Sequence, residues 1–226
     1  MKKSLLLLLI VMLTTSHIFA QHRKKFGINT GLTYSTFRGM DLPGVDYGYG
    51  TGLVVGFSYE YYLKENLSIK ANLSYDNKKS KGNVDFEVRA TLEDPPRTFN
   101  ESVTYNYNYM TLPVMIKYDF KNSGLFVNGG LFLGYLLDSE VKGDANTNQY
   151  PELTDFTEST TELNNQFDLG LALGFGKTFK VDSKNSIVVE LRNNLGLSKT
   201  NKDNTFDGNT VKSNSYNLLL GWAFDL

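Results

Sequence analysis

Glu60, Lys70, Lys117, Asp168, Glu190, Arg192 and Asp225 share one parity within segments where bulky apolar residues alternate with small or polar ones. Each falls on the small side, among Gly, Ala, Ser and Asn. Four acids and three bases confined to one interior persist there only as partners, because an isolated buried charge is too costly for a marginally stable fold. The expected chemistry is pairing, a lumen network in which Lys70, Lys117 and Arg192 neutralise the carboxylates; a gated ion path is the other use of such groups. Acyl transfer or deacylation needs a nucleophile activated by a base, most often His. The histidines are His17 and His22, both ahead of the first alternating segment, so no catalytic residue is assigned and no enzyme is expected. Asp203-Asn204-Thr205-Phe206-Asp207-Gly208 partly matches a calcium loop, with Asp203 and Asp207 as the candidate ligands. Thr205 departs from the pattern, and Asn214 stands where a bidentate Glu belongs. No cofactor is expected. Residues 139–162 carry Glu140, Asp144, Glu152, Asp155, Glu158 and Glu162 against Lys142, a solvated acidic loop or a surface for a cation or basic partner.

Eight period-two segments position these groups: 26–37, 49–62, 67–75, 103–120, 125–137, 167–179, 187–197 and 216–226. In the clearest, Phe167, Leu169, Leu171, Leu173, Phe175 and Phe179 alternate with Asp168, Gly170, Ala172, Gly174, Gly176 and Thr178. The links alternate too. Short ones fall at 63–66, 121–124 and 181–186, and long polar ones at 38–48, 76–102, 138–162 and 198–215. Short turns at one end and long loops at the other, with an even strand count, are the pattern of an outer-membrane barrel.

A soluble lipocalin-like ligand-binding barrel has the same period, so the chemistry of the two faces decides. A small closed barrel has an interior just wide enough for side chains to fill. That suits Gly, Ser, Asn and paired ions inside, and Leu, Phe, Tyr and Val outside against lipid. Tyr59, Tyr61, Tyr118, Phe120, Phe175, Phe179, Trp222 and Phe224 gather toward the short-turn end as an aromatic girdle. Tyr34, Tyr75, Tyr135, Phe167 and Tyr216 form the opposite band. An open edge in hydrocarbon leaves backbone groups unpaired at several kcal/mol each, so the last strand must pair with the first. The expected fold is all-β: a closed eight-stranded antiparallel up-and-down transmembrane barrel over residues 21–226.

Residues 1–20 read as a signal peptide, with Lys2 and Lys3 ahead of an apolar run from Leu5 to Leu13 and a cut near Ala20. That run is too short to span a bilayer as a helix. The mature chain is slightly acidic, which leaves no basic footprint for nucleic acid. With no Cys, neither a disulfide framework nor a lipid-modified Cys anchor is available. Lipid is therefore met by the fold itself.

Tyr109-Met110-Thr111-Leu112-Pro113-Val114-Met115-Ile116-Lys117-Tyr118 and the Gly-rich stretch Gly124-Leu125-Phe126-Val127-Asn128-Gly129-Gly130 resemble motifs of the PorT-like outer-membrane β-barrel family. The resemblance implies the fold and the outer-membrane location and, through a few members, a link to protein secretion. The expected partners are outer-membrane lipid, the outer-membrane assembly machinery during biogenesis, and an unidentified envelope protein. The expected function is a non-enzymatic integral protein presenting four surface loops in a structural, adhesion or secretion-support role. A narrow outer-membrane pore is the alternative.

Overall fold

The computed structural model describes residues 23–39, 45–88, 97–144, 156–202 and 210–226. Residues 1–20, the candidate ligands Asp203 and Asp207, and Glu152 and Asp155 lie outside the described residues.

Among the described residues nine strands form: β1 Lys24–Arg38, β2 Val45–Lys64, β3 Leu67–Val88, β4 Arg97–Asp119, β5 Leu125–Asp144, β6 Phe156–Ser159, β7 Phe167–Lys180, β8 Asn185–Gly196 and β9 Lys212–Asp225. All pair antiparallel. β1 to β5 join in sequence, β5 joins β7, and β7, β8 and β9 follow. β9 then returns to β1 in continuous register from Lys25↔Asp225 to Arg38↔Lys212, which closes an eight-strand ring. β6 is an appendage on Glu140–Gly143 of β5.

The wall has the parity that its chemistry demands. Leu171, Leu191 and Leu220 are 39, 39 and 56% exposed, within an outer face of Leu, Ile, Val, Phe and Tyr. Ser, Thr, Asn and the paired ions fill the inside. A soluble barrel turns its apolar face inward, so the lipocalin-like alternative does not describe this wall. Pro113 sits inward on β4 opposite Phe132 of β5. It falls in a gap of the β3–β4 ladder, between the pairs Ala71↔Val114 and Ser74↔Thr111, where its missing N–H breaks no regular bond.

The strands run further than the hydrophobic alternation indicates. β3 continues past Tyr75 to Val88, β4 begins at Arg97 rather than 103, β5 extends to Asp144, β2 starts at Val45 and β9 at Lys212. Much of the expected long loop at 76–102 is thus a paired hairpin. Its residues carry little apolar contrast because above the bilayer both faces are polar or mixed. A spanning strand needs about 9–11 residues, yet β2 to β5 have 20, 22, 23 and 20. About ten residues of each, roughly 30 Å at the usual rise, therefore stand above the membrane as one tall side of the barrel.

Candidate functional site

The lumen is built in tiers from the short-turn end upward. At the rim, Arg23 donates two hydrogen bonds to the Asp225 carboxylate at 2.7 and 2.9 Å, with Lys25 3.9 Å away. Asp225 is thus a rim residue and does not join the internal network expected of it. The β1–β9 register that closes the barrel also sets this pair, since Lys25 lies opposite Asp225.

One tier in, Lys117 of β4 reaches Glu60 of β2 at 2.9 and 3.2 Å, and Ser68 of β3 donates to the same carboxylate at 2.7 Å. Lys117 also lies 3.0 Å from Asp119. Above it, Glu190 of β8 is a hub. Its Oε2 accepts from Lys70 at 2.6 Å, and its Oε1 accepts from Arg192 at 2.8 Å and Asn128 at 3.0 Å. Arg192 also donates to Asn72 across the lumen at 2.9 Å. Glu60, Lys70, Lys117, Glu190 and Arg192 are thus brought together.

Asp168 is not part of this group. It lies higher, against Lys78 at 3.0 Å and Ser213 at 2.5 Å, with both ionic side chains fully buried. Nearby Thr33 donates to Asp76 at 2.7 Å, and Asn217 donates to Thr33 at 3.2 Å. Lys78 and Asp76 fall in the stretch that alternation assigns to a loop. The signal was present, because Ser68, Lys70, Asn72, Ser74, Asp76 and Lys78 keep one parity.

Aromatic rings separate the tiers, so the interior is bulkier than small residues and ions alone. Phe126 and Phe132 of β5 point inward and are 1% exposed. Lys117 and Lys70 lie 4.6 and 5.5 Å from the Phe126 ring centre, and Lys78 lies 4.7 Å from that of Tyr109 and 5.1 Å from that of Phe132. A desolvated ammonium is attracted to such a face by about 2 kcal/mol. Glycines on β7 make room for both rings. Phe126 is paired with Gly176 and Phe132 with Gly170, and a Cβ at either glycine would stand 2.5 Å from a ring carbon. Phe37, Tyr107, Tyr109, Leu136 and Val211 form an apolar cluster over the upper charges. The space left around the lower ions is about 30 Å³, room for one or two waters and far from an open channel.

The residues of the aromatic girdle lie on the outside of the wall. Tyr59, Tyr118, Phe120, Phe175, Phe179, Trp222 and Phe224 are exposed, while Tyr61 is half-buried. Phe224 packs on Phe26 at 5.5 Å and Phe120 on Tyr118 at 5.3 Å between ring centres, and Trp222 donates to Asn185 at 3.1 Å. At the opposite end Tyr34 stacks on Tyr49 at 4.6 Å, and Tyr135 meets Phe167 edge-on at 5.6 Å. Of the acidic loop residues, Glu140 pairs with Lys142 at 2.8 Å and accepts from Asn106 at 2.9 Å, whereas Glu158 and Glu162 are exposed.

No curated protein matches the chain. Among solved structures, it is similar to Neisserial surface protein A, at 15% identity over 88% of this chain and 96% of that one with a TM-score of 0.41. It is also similar to Ail, the attachment invasion locus protein of Yersinia pestis, at 13% identity over 89 and 98% of the two chains with a TM-score of 0.39. The outer membrane protease OmpT of Escherichia coli aligns at 10% identity over 90 and 97% with a TM-score of 0.43. Residues 19–202 match the family model of the outer membrane protein beta-barrel domain. With a closed ring, a lipid-facing wall and a match over most of its length, the chain belongs to the outer membrane protein beta-barrel domain family.

Proposed function

We propose that this protein is a non-enzymatic, non-conducting barrel whose closed interior holds up a tall extracellular wall, and that this wall engages another envelope or extracellular protein. The role is structural, adhesive or in support of secretion. One observation carries the reading: above the rim, interlocked ion pairs and aromatic rings fill the lumen up to the apolar cluster over Lys78, with about 30 Å³ left around the lower ions. Such a filling gives a permeant ion no path, but it fixes eight strands into a rigid base for the raised part of β2 to β5. Exposed segments held by a rigid scaffold are where recognition concentrates.

The test is single-channel recording of the purified full chain in a planar bilayer. A silent membrane is expected even at molar salt and high voltage. Reproducible discrete openings, abolished by heat denaturation of the sample, would overturn the reading in favour of a pore.

A further inference from the structure

Four strands meet in a row of short side chains just inside the rim. Thr178 of β7 pairs with Val188 of β8, Val188 with Gly221 of β9, and Gly221 with Asn29 of β1. All four line the cavity of about 30 Å³ around the lower ions. The wall carries no bulky group at this height, and the space opens there. Thr178 and Lys25 line that cavity and also a recess of about 640 Å³ at the rim. They form the neck between the lower lumen and the short-turn side.

The donors around this cavity call for an anion. Lys25 is 7% exposed, and among the described residues its ammonium has no hydrogen-bond acceptor. Asp225 is 3.9 Å away and already holds Arg23 through both oxygens, and the Tyr62 ring centre is 5.9 Å away. Arg192 is 3% exposed, and its Nη2, like Thr178 Oγ1, is buried without a hydrogen-bond partner. Asn29 adds an amide whose oxygen is likewise unpartnered; a half-turn of that side chain presents its NH2 instead. The charges have the same sign. Across the lower lumen and its rim, Arg23, Lys25, Lys70, Lys117 and Arg192 meet Glu60, Asp119, Glu190 and Asp225, five basic side chains to four acidic ones. Residues 1–22, which precede Arg23, hold no Asp or Glu. Asp76 lies six residues along β3 from Lys70, about 20 Å at the usual rise, too far to neutralise the excess. A buried charge without a counter-ion is costly to keep.

We propose that this cavity binds one chloride ion, held by Lys25, Arg192 and Thr178 and admitted past Lys25 from the short-turn side. Space for one or two waters admits a halide but not a four-oxygen anion, and a cation would meet the bases Lys25, Lys70, Lys117 and Arg192. A water would fill the space and leave the charge. Hydrogen bonds to an ion are also the stronger ones. The Glu190 hub and Phe126 fill the lumen above, so the ion enters and leaves by the same neck. The site is therefore independent of the anchoring role above and needs no conduction.

The test uses the full chain in detergent micelles. Crystals soaked in sodium bromide should show one anomalous-scattering peak inside the barrel, between Lys25, Thr178 and Arg192. In solution, chloride is exchanged for gluconate, which is too large to enter, at constant ionic strength. The unfolding equilibrium constant should fall about tenfold for each tenfold rise in chloride above half-saturation, and sodium sulfate should not reproduce the effect. Lys25→Met should abolish that dependence while keeping heat-modifiable migration. If Lys25→Met does not fold, Thr178→Val decides, because it keeps every charge and the shape of the side chain; half-saturation should then rise about tenfold for the lost hydrogen bond to an ion. Bromide confined to the outer surface, equal stability in gluconate and chloride, an equal effect of sulfate, or an unchanged chloride dependence in the variants would each overturn the proposal.

Discussion

The lower and upper halves of the lumen hold their charges in different ways. In the lower half Glu190 serves Lys70, Arg192 and Asn128 at once, and Lys117 is shared between Glu60 and Asp119. In the upper half Lys78 and Asp168 form a single ion pair, completed by Ser213 and roofed by apolar rings. The lower arrangement distributes each charge over several partners, and no single pair can be lifted out of it. In the upper one hydroxyls and ring faces replace additional cations: Ser213 joins the pair, and the buried Asp76 beside it is held by Thr33. Burial alone therefore does not set how much a charge matters; the number of groups that depend on it does.

The largest effect should follow Glu190→Ala, because it strands two buried cations at once. Removing one partner of a buried pair costs about 3–5 kcal/mol, and a hub belongs at or above the top of that range. Urea unfolding of the barrel in lipid vesicles measures it. Lys78→Met should cost less, about 3 kcal/mol at the lower end of that range, since Asp168 keeps Ser213 and a Met fills the space between Tyr109 and Phe132. Adding Asp168→Leu to Lys78→Met should bring stability back toward the parent, as replacing a whole buried pair by apolar residues often does. A Lys78→Met loss that equals or exceeds the Glu190→Ala loss would show that both halves are held in the same way.

The two halves also differ in how far the sequence announces them. Unbroken alternation through Leu67–Tyr75 and Phe167–Phe179 marks the spanning strands and their faces, and the ring follows because hydrocarbon permits no open edge. Alternation fades at Asp76, where the wall leaves the bilayer and hydrophobic contrast no longer separates inside from outside, so Lys78 reads as loop although its parity persists. Parity also gives a residue's face but not its height. Asp225 and Asp168 share the inward face with Glu190, yet one sits at the rim and the other a tier above the hub. The inward Phe126 and Phe132 become intelligible only with Gly176 and Gly170 across the β5–β7 register, which is fixed by pairing between strands. The contact of Asn164 and Asn165 with residues 199–201 has no period at all, because bonds between distant segments, side chain to backbone for Asn165, build it.

The smallest effect is expected outside the barrel, where a charge has solvent as its alternative partner. In the β7–β8 turn the Asp182 carboxylate accepts from the Asn185 side chain and from the Lys184 and Asn185 backbone N–H groups at 2.7 and 2.8 Å. These donors, the Asn185 side chain first, hold its pKa below the ordinary value of 3.8. A carboxyl depressed in the folded state adds stability above the unfolded pKa and loses it as pH falls through the folded value. The turn should therefore be unchanged from neutral pH down to about pH 5, where the carboxylate is still largely ionised in both states, and loosen progressively in stronger acid. Faster amide exchange at Lys184 and Asn185 below that pH, and in Asp182→Ala at neutral pH, would register the change, while the urea midpoint of the barrel should scarcely move in Asp182→Ala. A midpoint shift comparable to that of Lys78→Met would mean that this exposed turn carries as much of the fold as a buried ion pair.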